Sequence, residues 1–182
     1  MDSLQGQLLI AEPRLPDSSF FRTVVVMIQH SDQGATGLIL NRPGNVSLSD
    51  IWDDVSDSPL ARDKPIHIGG PVEGPLTALH DRMDLAEQTV IEGVYLSMSR
   101  HNLDELLASE HGELCVFSGY SGWAPGQLEN ELSVGGWLLL EAQPEHVFGN
   151  PDNLYKSLCE EVGRTILFGD ATGDQPVDPG LN

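Results

Sequence analysis

Two arginines and a glycine pair are the residues best suited by type to bind an anion. Arg22 follows two phenylalanines, and Asn41-Arg42 ends the apolar run that begins at Gly37. Guanidinium groups bind carboxylates and phosphates through paired hydrogen bonds, and the N–H groups of Gly69-Gly70 would add a backbone nest for an anion. We therefore predict a composite anion site. The alternative is that each arginine pairs with a carboxylate and fixes a turn.

A second candidate lies in the glycine-rich segment Gly119–Leu132. Trp123 would border a groove, and Gln127 and Glu131 stand four residues apart, so they share one face of a helix beginning near Pro125. An aromatic wall with a few convergent polar groups is typical of a binding site. The alternative is that Gln127 and Glu131 satisfy backbone groups of the loop.

Motifs for established chemistries are incomplete. Ser121 stands between a predicted strand and a helix, but a nucleophile elbow requires glycine where the chain has Trp123. The six histidines lack the spacing of a helical metal site, and neither common nucleotide-binding glycine motif is present. An enzyme using Glu131 or His80 as its acid–base group remains the alternative to a binding module.

Net charge limits the partners. Nine basic and 28 acidic residues give a net charge of −19. Such a surface repels phosphate backbones and anionic lipid, so we expect no direct binding of nucleic acid or membrane. No leader or spanning segment is apparent, and two cysteines are too few for a disulfide framework or a four-cysteine zinc site. We expect a cytoplasmic protein without a cofactor.

These side chains must be positioned by short strands and a few helices. β-branched runs bounded by Gly and Pro predict strands at Gln7–Ala11, Thr23–Gln29, Gly37–Leu40, Pro65–Ile68, Leu76–Leu79, Val90–Ser97, Leu114–Ser118 and Trp137–Glu141. Helical spacing and caps predict helices at Ser47–Val55, Asn102–Ser109 and Asp152–Val162, the last with Asp152 as its cap. Strands and helices do not alternate, which favours an α+β fold with a mixed, mainly antiparallel sheet. The length suits one domain over 1–169, followed by a flexible tail over 170–182.

Four segments in this order resemble the AlgH/YqgE family of small bacterial proteins. The most specific pieces are Leu40-Asn41-Arg42-Pro43, Ile68-Gly69-Gly70-Pro71-Val72, Leu79-His80 and Gly119–Glu131. The resemblance covers about Gly6 to Leu167. It implies a single α+β domain whose sheet curls toward a pseudo-barrel, and it carries the label of a transcriptional regulator without a defined chemistry.

Three functions from different classes follow. The first is a non-enzymatic binding or regulatory module that holds a small molecule or peptide through Arg22, Asn41, Arg42, Gly69, Gly70, Trp123, Gln127 and Glu131. The second is an enzyme with its acid–base group in the same groove, and it requires a perturbed titrating group there. The third is a regulator that acts through partners, since direct DNA binding requires a basic face.

Overall fold

The chain folds into strands that form two sheets. The computed structural model describes residues 3–13, 15, 17–56 and 59–168, so the tail predicted over 170–182 lies outside the described residues. The strands are β1 (Gln7–Ala11), β2 (Val24–Ser31), β3 (Gly34–Ile39), β4 (Pro43–Ser47), β5 (Pro65–Ile68), β6 (Thr77–His80), β7 (Gln88–Ile91), β8 (Val94–Ser97), β9 (Leu114–Ser118), β10 (Ser121–Trp123) and β11 (Trp137–Glu141).

Five α-helices lie among these strands in the described part of the chain. They are α1 (Leu48–Val55), α2 (Arg100–Leu107), α3 (Gln127–Ser133), α4 (Pro144–Phe148) and α5 (Pro151–Phe168). Helix α1 begins as its sequence predicts, because the backbone N–H of Ser47 donates to the Asp50 carboxylate at 2.7 Å. Helix α5 is capped by Asn150, whose side chain accepts the N–H of Asp152 at 2.9 Å. The prediction that Asp152 is the cap was therefore wrong by two residues.

The two sheets confirm the α+β class. One is antiparallel, with the strand order β10-β3-β2-β1-β11, and the other has the order β4-β5-β9-β6-β8-β7. Only the β5–β9 pair of the second sheet is parallel among the described strands. Each sheet keeps two edge strands, so the curling implied by the family resemblance does not close either sheet into a barrel.

Alternation along the strands divides the core among the layers. In β1, Leu8 and Ile10 face the core shared by the two sheets and α5, whereas Leu9 and Ala11 face a second cluster. That second cluster packs beneath α3 and contains Phe20, Trp123 and Trp137. A third cluster lies between the six-stranded sheet and helices α1 and α2.

Most predicted elements are present, with two informative differences. The run Val90–Ser97 is a hairpin made of β7 and β8, because Gly93 adopts a φ of 79° and turns the chain. The helix expected to begin near Pro125 starts at Gln127, after Gly126. Within the described residues, no helix is both long enough and apolar enough to cross a membrane.

Candidate functional site

Arg22 occupies a strained backbone conformation next to Asn41. Its φ of 55° is the one positive value at a non-glycine residue in the described chain, and this region is unfavourable for side chains with a Cβ. The Asn41 amide anchors the backbone directly after Arg22, on both sides of Thr23: Nδ2 donates to the carbonyl of Arg22 at 2.9 Å, and Oδ1 accepts the N–H of Val24 at 2.8 Å. Asn41 is therefore a positioning residue for Arg22.

The Arg22 guanidinium lies over an aromatic ring from the last helix. Its Cζ is 5.6 Å from the centroid of Tyr155, which is a cation–π distance. Tyr155 is itself fixed, since its hydroxyl donates to the carbonyl of Ala11 at 2.8 Å. Burial, with smaller contributions from Cys159 and Glu12 and opposed by Arg22, raises the pKa of Tyr155 to about 12. The hydroxyl consequently remains a neutral donor at physiological pH.

Arg42 contacts the turn at Ser18–Phe20, which precedes Arg22 and is called the arginine turn below. It also contacts β5, the strand that leads into Gly69-Gly70. Its Nη1 donates to the carbonyl of Ser19 at 2.7 Å, and its own carbonyl accepts the N–H of Ile68 at 2.9 Å. The structure thus brings Arg22, Arg42 and the start of the Gly69-Gly70 turn together.

The glycine pair serves a close backbone crossing. A Cβ at Gly69 would lie 2.3 Å from the carbonyl oxygen of Gly119, and one at Gly70 would lie 2.2 Å from the carbonyl carbon of Tyr120. The Gly69 N–H donates to the carbonyl of Ser118 at 2.9 Å. The Gly69 N–H therefore already has an acceptor. The prediction that it contributes to a backbone nest for an anion was wrong.

Neither Arg22 nor Arg42 forms an ion pair with a carboxylate of the described residues. In the described residues, the arginine and lysine ion pairs are Arg82–Asp84, Arg100–Asp104 and Lys156–Glu160. No carboxylate oxygen of the same residues lies within 4.0 Å of Arg22 or Arg42. The ion pairs that the alternative expected are therefore not found among the described residues, although the bond from Arg42 to the Ser19 carbonyl does fix a turn.

Trp123, Gln127 and Glu131 form one hydrogen-bonded cluster. The Glu131 carboxylate accepts the indole N–H groups of Trp123 at 3.0 Å and Trp137 at 2.8 Å, and its other oxygen accepts Nε2 of Gln127 at 3.0 Å. The Gln127 carbonyl in turn accepts the N–H of Ala124 at 3.1 Å. Gln127 thus bonds to a backbone group of the loop, as the structural alternative expected, whereas Glu131 accepts from side chains instead of backbone.

The cluster is joined to the arginine turn through Phe20. The Phe20 ring stacks on Trp123 with centroids 5.7 Å apart and meets Trp137 edge-on at 5.2 Å. Trp123 also borders an open groove of about 340 Å³ on the side of Tyr120 and Gly122. Gln127 and Glu131 do not line that groove, so they belong to its support.

Neither His80 nor Ser121 lines the groove beside Trp123. His80 is fully buried in β6, where its Nε2 lies 3.0 Å from the Ser97 hydroxyl, and it belongs to the other sheet from Trp123. It is therefore not an acid–base group of the Trp123 groove. Ser121 is buried and donates to the carbonyl of Gly69 at 3.1 Å. Among the described residues, no group of three or more His, Cys, Asp and Glu side chains is arranged to hold a metal ion.

Sequence reasoning missed the aromatic partner of Arg22 and the acceptor of Arg42. Tyr155 lies 133 positions after Arg22 in the chain, and the Ser19 acceptor is a backbone carbonyl that carries no residue signature. Asn41 gave no local signal of its role either, because asparagine in turns typically bonds to backbone about two residues away, whereas its partners here lie 17 and 19 residues away.

Comparisons with known proteins cover nearly the whole chain. Residues 8–167 match the family model described as AlgH-like (DUF179). A UPF0301 protein of Nitrosospira multiformis is 41% identical over 182 aligned residues, covering 88% of this chain and 96% of the relative. A UPF0301 protein of Myxococcus xanthus is 34% identical over 168 residues, covering 90% and 93%.

Two solved structures share the fold. The solution structure of the AlgH protein from Pseudomonas aeruginosa has a TM-score of 0.76 and 31% identity, covering 94% of this chain and 96% of that one. A crystal structure from Corynebacterium diphtheriae has a TM-score of 0.72 and 20% identity, covering 88% of each chain. At that identity, the second likeness speaks to the fold alone.

Proposed function

The chain belongs to the AlgH-like family, and we propose that it is a binding or regulatory module and not an enzyme. Its ligand is a small molecule or peptide segment that presents a carboxylate to Arg22 and Arg42. The observation that carries the proposal is that Arg22 follows the turn at Ser18–Phe20, that the Arg42 guanidinium donates to the Ser19 carbonyl of the same turn, and that neither arginine has a carboxylate partner among the described residues.

The electrostatics of the chain support this choice. With 28 acidic residues in the sequence, an unpaired arginine is available to an external anion only where the fold keeps carboxylates away from it. Three other cations of the described residues, Arg82, Arg100 and Lys156, form ion pairs with carboxylates of the same chain. Arg22 and Arg42 are instead held by a ring and a carbonyl, which leaves further N–H donors on each guanidinium.

The strain at Arg22 supports a functional role. A left-handed non-glycine residue costs roughly 1–2 kcal/mol, and such residues concentrate at binding sites. Asn41 anchors the backbone after Arg22, Trp123 stacks on Phe20 of the turn, and Gly69 and Gly70 allow the close crossing with Gly119 and Tyr120. Gln127 and Glu131 fix Trp123, so all eight site residues have a role in the proposal.

The surface beside the arginines favours a ligand with an apolar part. Phe21 is 64% exposed and Ile68 is 44% exposed, and each is adjacent to one of the arginine positions. A carboxylate with a neighbouring apolar group would therefore satisfy both features. The end of a peptide chain and a small organic acid share this chemistry.

The test uses the peptide acetyl-Gly-Phe-Leu with a free carboxylate and the same peptide as its amide. Calorimetry should show at least tenfold tighter binding of the free acid, because each charge-assisted hydrogen bond contributes about 1.5–3 kcal/mol. The double variant R22Q/R42Q should lose this preference. The matched control R82Q/R100Q removes two ion-paired arginines and should keep it.

Two outcomes would contradict the proposal. One is equal affinity of the wild type for the acid and the amide, and the other is a preference that survives in R22Q/R42Q. Mass spectrometry of the peptide after prolonged incubation separates a binding module from an enzyme, since the module leaves the peptide unchanged.

A further inference from the structure

A separate cavity lies on the other side of Arg42, between the six-stranded sheet and the α4–α5 connection. Its volume is about 260 Å³, slightly below the range of roughly 300–1,000 Å³ typical of small-molecule pockets. The polar side chains in its wall are those of Lys64, His67, Cys115 and His146. The remaining wall is largely apolar, with Leu40, Phe148 and Leu154 among its members. The cavity therefore suits a molecule with a short carbon skeleton.

His67 presents an unused acceptor to this cavity. The residue is only 8% exposed, and its Nδ1 lies 3.2 Å from the carbonyl of Leu40. A carbonyl accepts and never donates, so Nδ1 carries the proton and Nε2 carries the lone pair. Burial, with a smaller effect from Lys64 and opposed by the Leu40 carbonyl, lowers the pKa of His67 and keeps the ring neutral.

The Nε2 atom has no partner in the described residues. Two unpartnered side-chain atoms of those residues are completely enclosed, Nε of Arg62 and Nδ1 of His80, and Nε2 of His67 is not among them. Its lone pair is thus accessible, and the cavity is the space that His67 borders. A ligand that donates to Nε2 would therefore meet an acceptor for which no side chain or backbone group of the described residues competes.

Lys64 supplies a fixed positive charge in the same wall. Its ammonium donates to the carbonyl of Leu114 at 2.9 Å, which leaves two of its three N–H groups. Its charge acts to lower the pKa of both His67 and the Cys115 thiol, although burial raises that of Cys115 overall. No carboxylate of the described residues lies within 4.0 Å of the Lys64 ammonium. Lys64 and His67 together combine a cation with a neutral acceptor.

We propose that this cavity binds a small hydroxycarboxylic acid, with the carboxylate at Lys64, the hydroxyl donating to Nε2 of His67, and the carbon skeleton against Leu40 and Leu154. Inorganic phosphate also combines an anion with an O–H donor, but it would leave the apolar wall without contacts. The cavity assignment does not depend on the binding proposed for Arg22 and Arg42.

The probe is 2-hydroxyisocaproate, compared with two analogues that each lack one feature. Isocaproate lacks the hydroxyl, and 2-hydroxyisocaproamide lacks the charge. Titration followed by the ring C–H signals of the histidines in NMR spectra gives both the site and the affinity. We expect the hydroxy acid to shift the His67 signals and to bind three- to tenfold more tightly than isocaproate, the factor that one net hydrogen bond provides.

Variants separate this cavity from the arginine turn. Lys64→Met should weaken binding of 2-hydroxyisocaproate at least tenfold, whereas the control Lys156→Met removes an exposed, ion-paired lysine and should leave it unchanged. His67→Phe should abolish the advantage of the hydroxy acid over isocaproate. The R22Q/R42Q variant should bind the probe as the wild type does, so failure here and failure at the arginines are distinguishable.

Each remaining result counts against the proposal. Unshifted His67 signals at high probe concentration, equal affinity for the hydroxy acid and its amide, or unchanged binding in a folded Lys64→Met variant would overturn it. Tighter binding of inorganic phosphate than of 2-hydroxyisocaproate would overturn the organic-acid assignment. Should His67→Phe not fold, the Lys64→Met variant and the three-ligand comparison still decide the matter.

Discussion

Asn41 anchors the backbone that leaves the left-handed residue Arg22 by bonding on both sides of Thr23. The Arg22 carbonyl accepts from the Asn41 amide at 2.9 Å, and the same amide accepts the N–H of Val24 at 2.8 Å. The side chain of Asn41, in the connection between β3 and β4, therefore fixes the backbone of the connection between β1 and β2. This arrangement links the stability of the turn to the direction of the Arg22 guanidinium.

The first prediction isolates the strain at this position. Arg22→Gly and Arg22→Ala both remove the guanidinium, but only glycine adopts a φ of 55° without a Cβ penalty. We expect the glycine variant to be more stable than the alanine variant by about 1 kcal/mol, as measured by urea denaturation. Equal stabilities would show that the turn relaxes and stores no strain.

The second prediction concerns the carboxylate shared by two tryptophans. Glu131→Ala removes the acceptor of both indole N–H groups, and each unsatisfied buried donor is unfavourable by about 1–3 kcal/mol. We expect a fall of several degrees in the melting temperature and a changed tryptophan emission spectrum. Gln127 is exposed, so Gln127→Ala should have the smaller effect.

An exposed glutamate provides the control for that experiment. Glu105 lies on the outer surface of α2, and Glu105→Ala should change stability by no more than about 0.5 kcal/mol. Unchanged melting of Glu131→Ala would return Gln127 and Glu131 to the exposed groove that the sequence alone suggested.

Local patterns predicted the elements that carry their own signal. The β-branched runs at Gln7–Ala11, Pro65–Ile68 and Leu114–Ser118 are strands with the expected bounds. The strands that were missed, Pro43–Ser47 and Ser121–Trp123, contain Pro or Gly and are stabilised by backbone pairing with distant partners. Such pairing depends on the tertiary fold, and the residue types within a five-residue segment do not predict it.

The sequence indicated which residues to consider for the candidate site better than it indicated what each of them contacts. Chain motifs identified Arg22 and Arg42 as neighbours of turns, and the structure brings both to the turn at Ser18–Phe20. The roles of Gly69 and Glu131 depend on what lies opposite them, namely the carbonyl of Gly119 and the indole of Trp137. Those contacts join residues that no sequence spacing relates.

The third prediction is a loss of stability in mildly acidic solution. Burial is the main cause that lowers the pKa of His67 and of His80 below the ordinary value of 6.5. Between the folded and unfolded pKa values, the unfolded chain binds more protons, so the free energy of unfolding rises with pH. The free energy of unfolding should be at its full value above about pH 7.5 and should decrease progressively below about pH 6.5.

Single substitutions assign this pH dependence. His80→Gln and His67→Gln should each reduce the difference between urea midpoints measured at about pH 7.5 and about pH 5.5. His101 is exposed at the start of α2, and His101→Gln should leave that difference unchanged. A difference unaffected by both buried-site variants would place the pH dependence on other groups.

The fourth prediction is that the protein does not bind DNA directly. Its net charge is −19, and specific DNA interfaces are strongly positive. Arg82, Arg100 and Lys156 each lie beside a carboxylate, so these cations do not form a basic face. Mobility-shift assays on genomic fragments at low salt should show no retarded band. A salt-sensitive shift at micromolar protein would instead support a regulator that contacts DNA itself.

The fifth prediction tests the backbone crossing beneath the arginine turn. Gly70→Ala would place a Cβ 2.2 Å from the carbonyl carbon of Tyr120, a contact with backbone that no rotamer relieves. We expect destabilisation of more than about 3 kcal/mol, because the paired segments at Val72 and Tyr120 must separate.

Gly163 is the matched control: it lies within α5, nothing stands within 4 Å of its would-be Cβ, and Gly163→Ala should stabilise by about 0.5–1 kcal/mol. Urea denaturation measures both effects, and hydrogen exchange at the Val72 and Tyr120 amides, which bond to each other's carbonyls at 3.0 and 2.9 Å, locates the damage. Wild-type stability and protection in Gly70→Ala would mean that the two loops have room between them, and the glycine pair would then need an explanation other than the crossing.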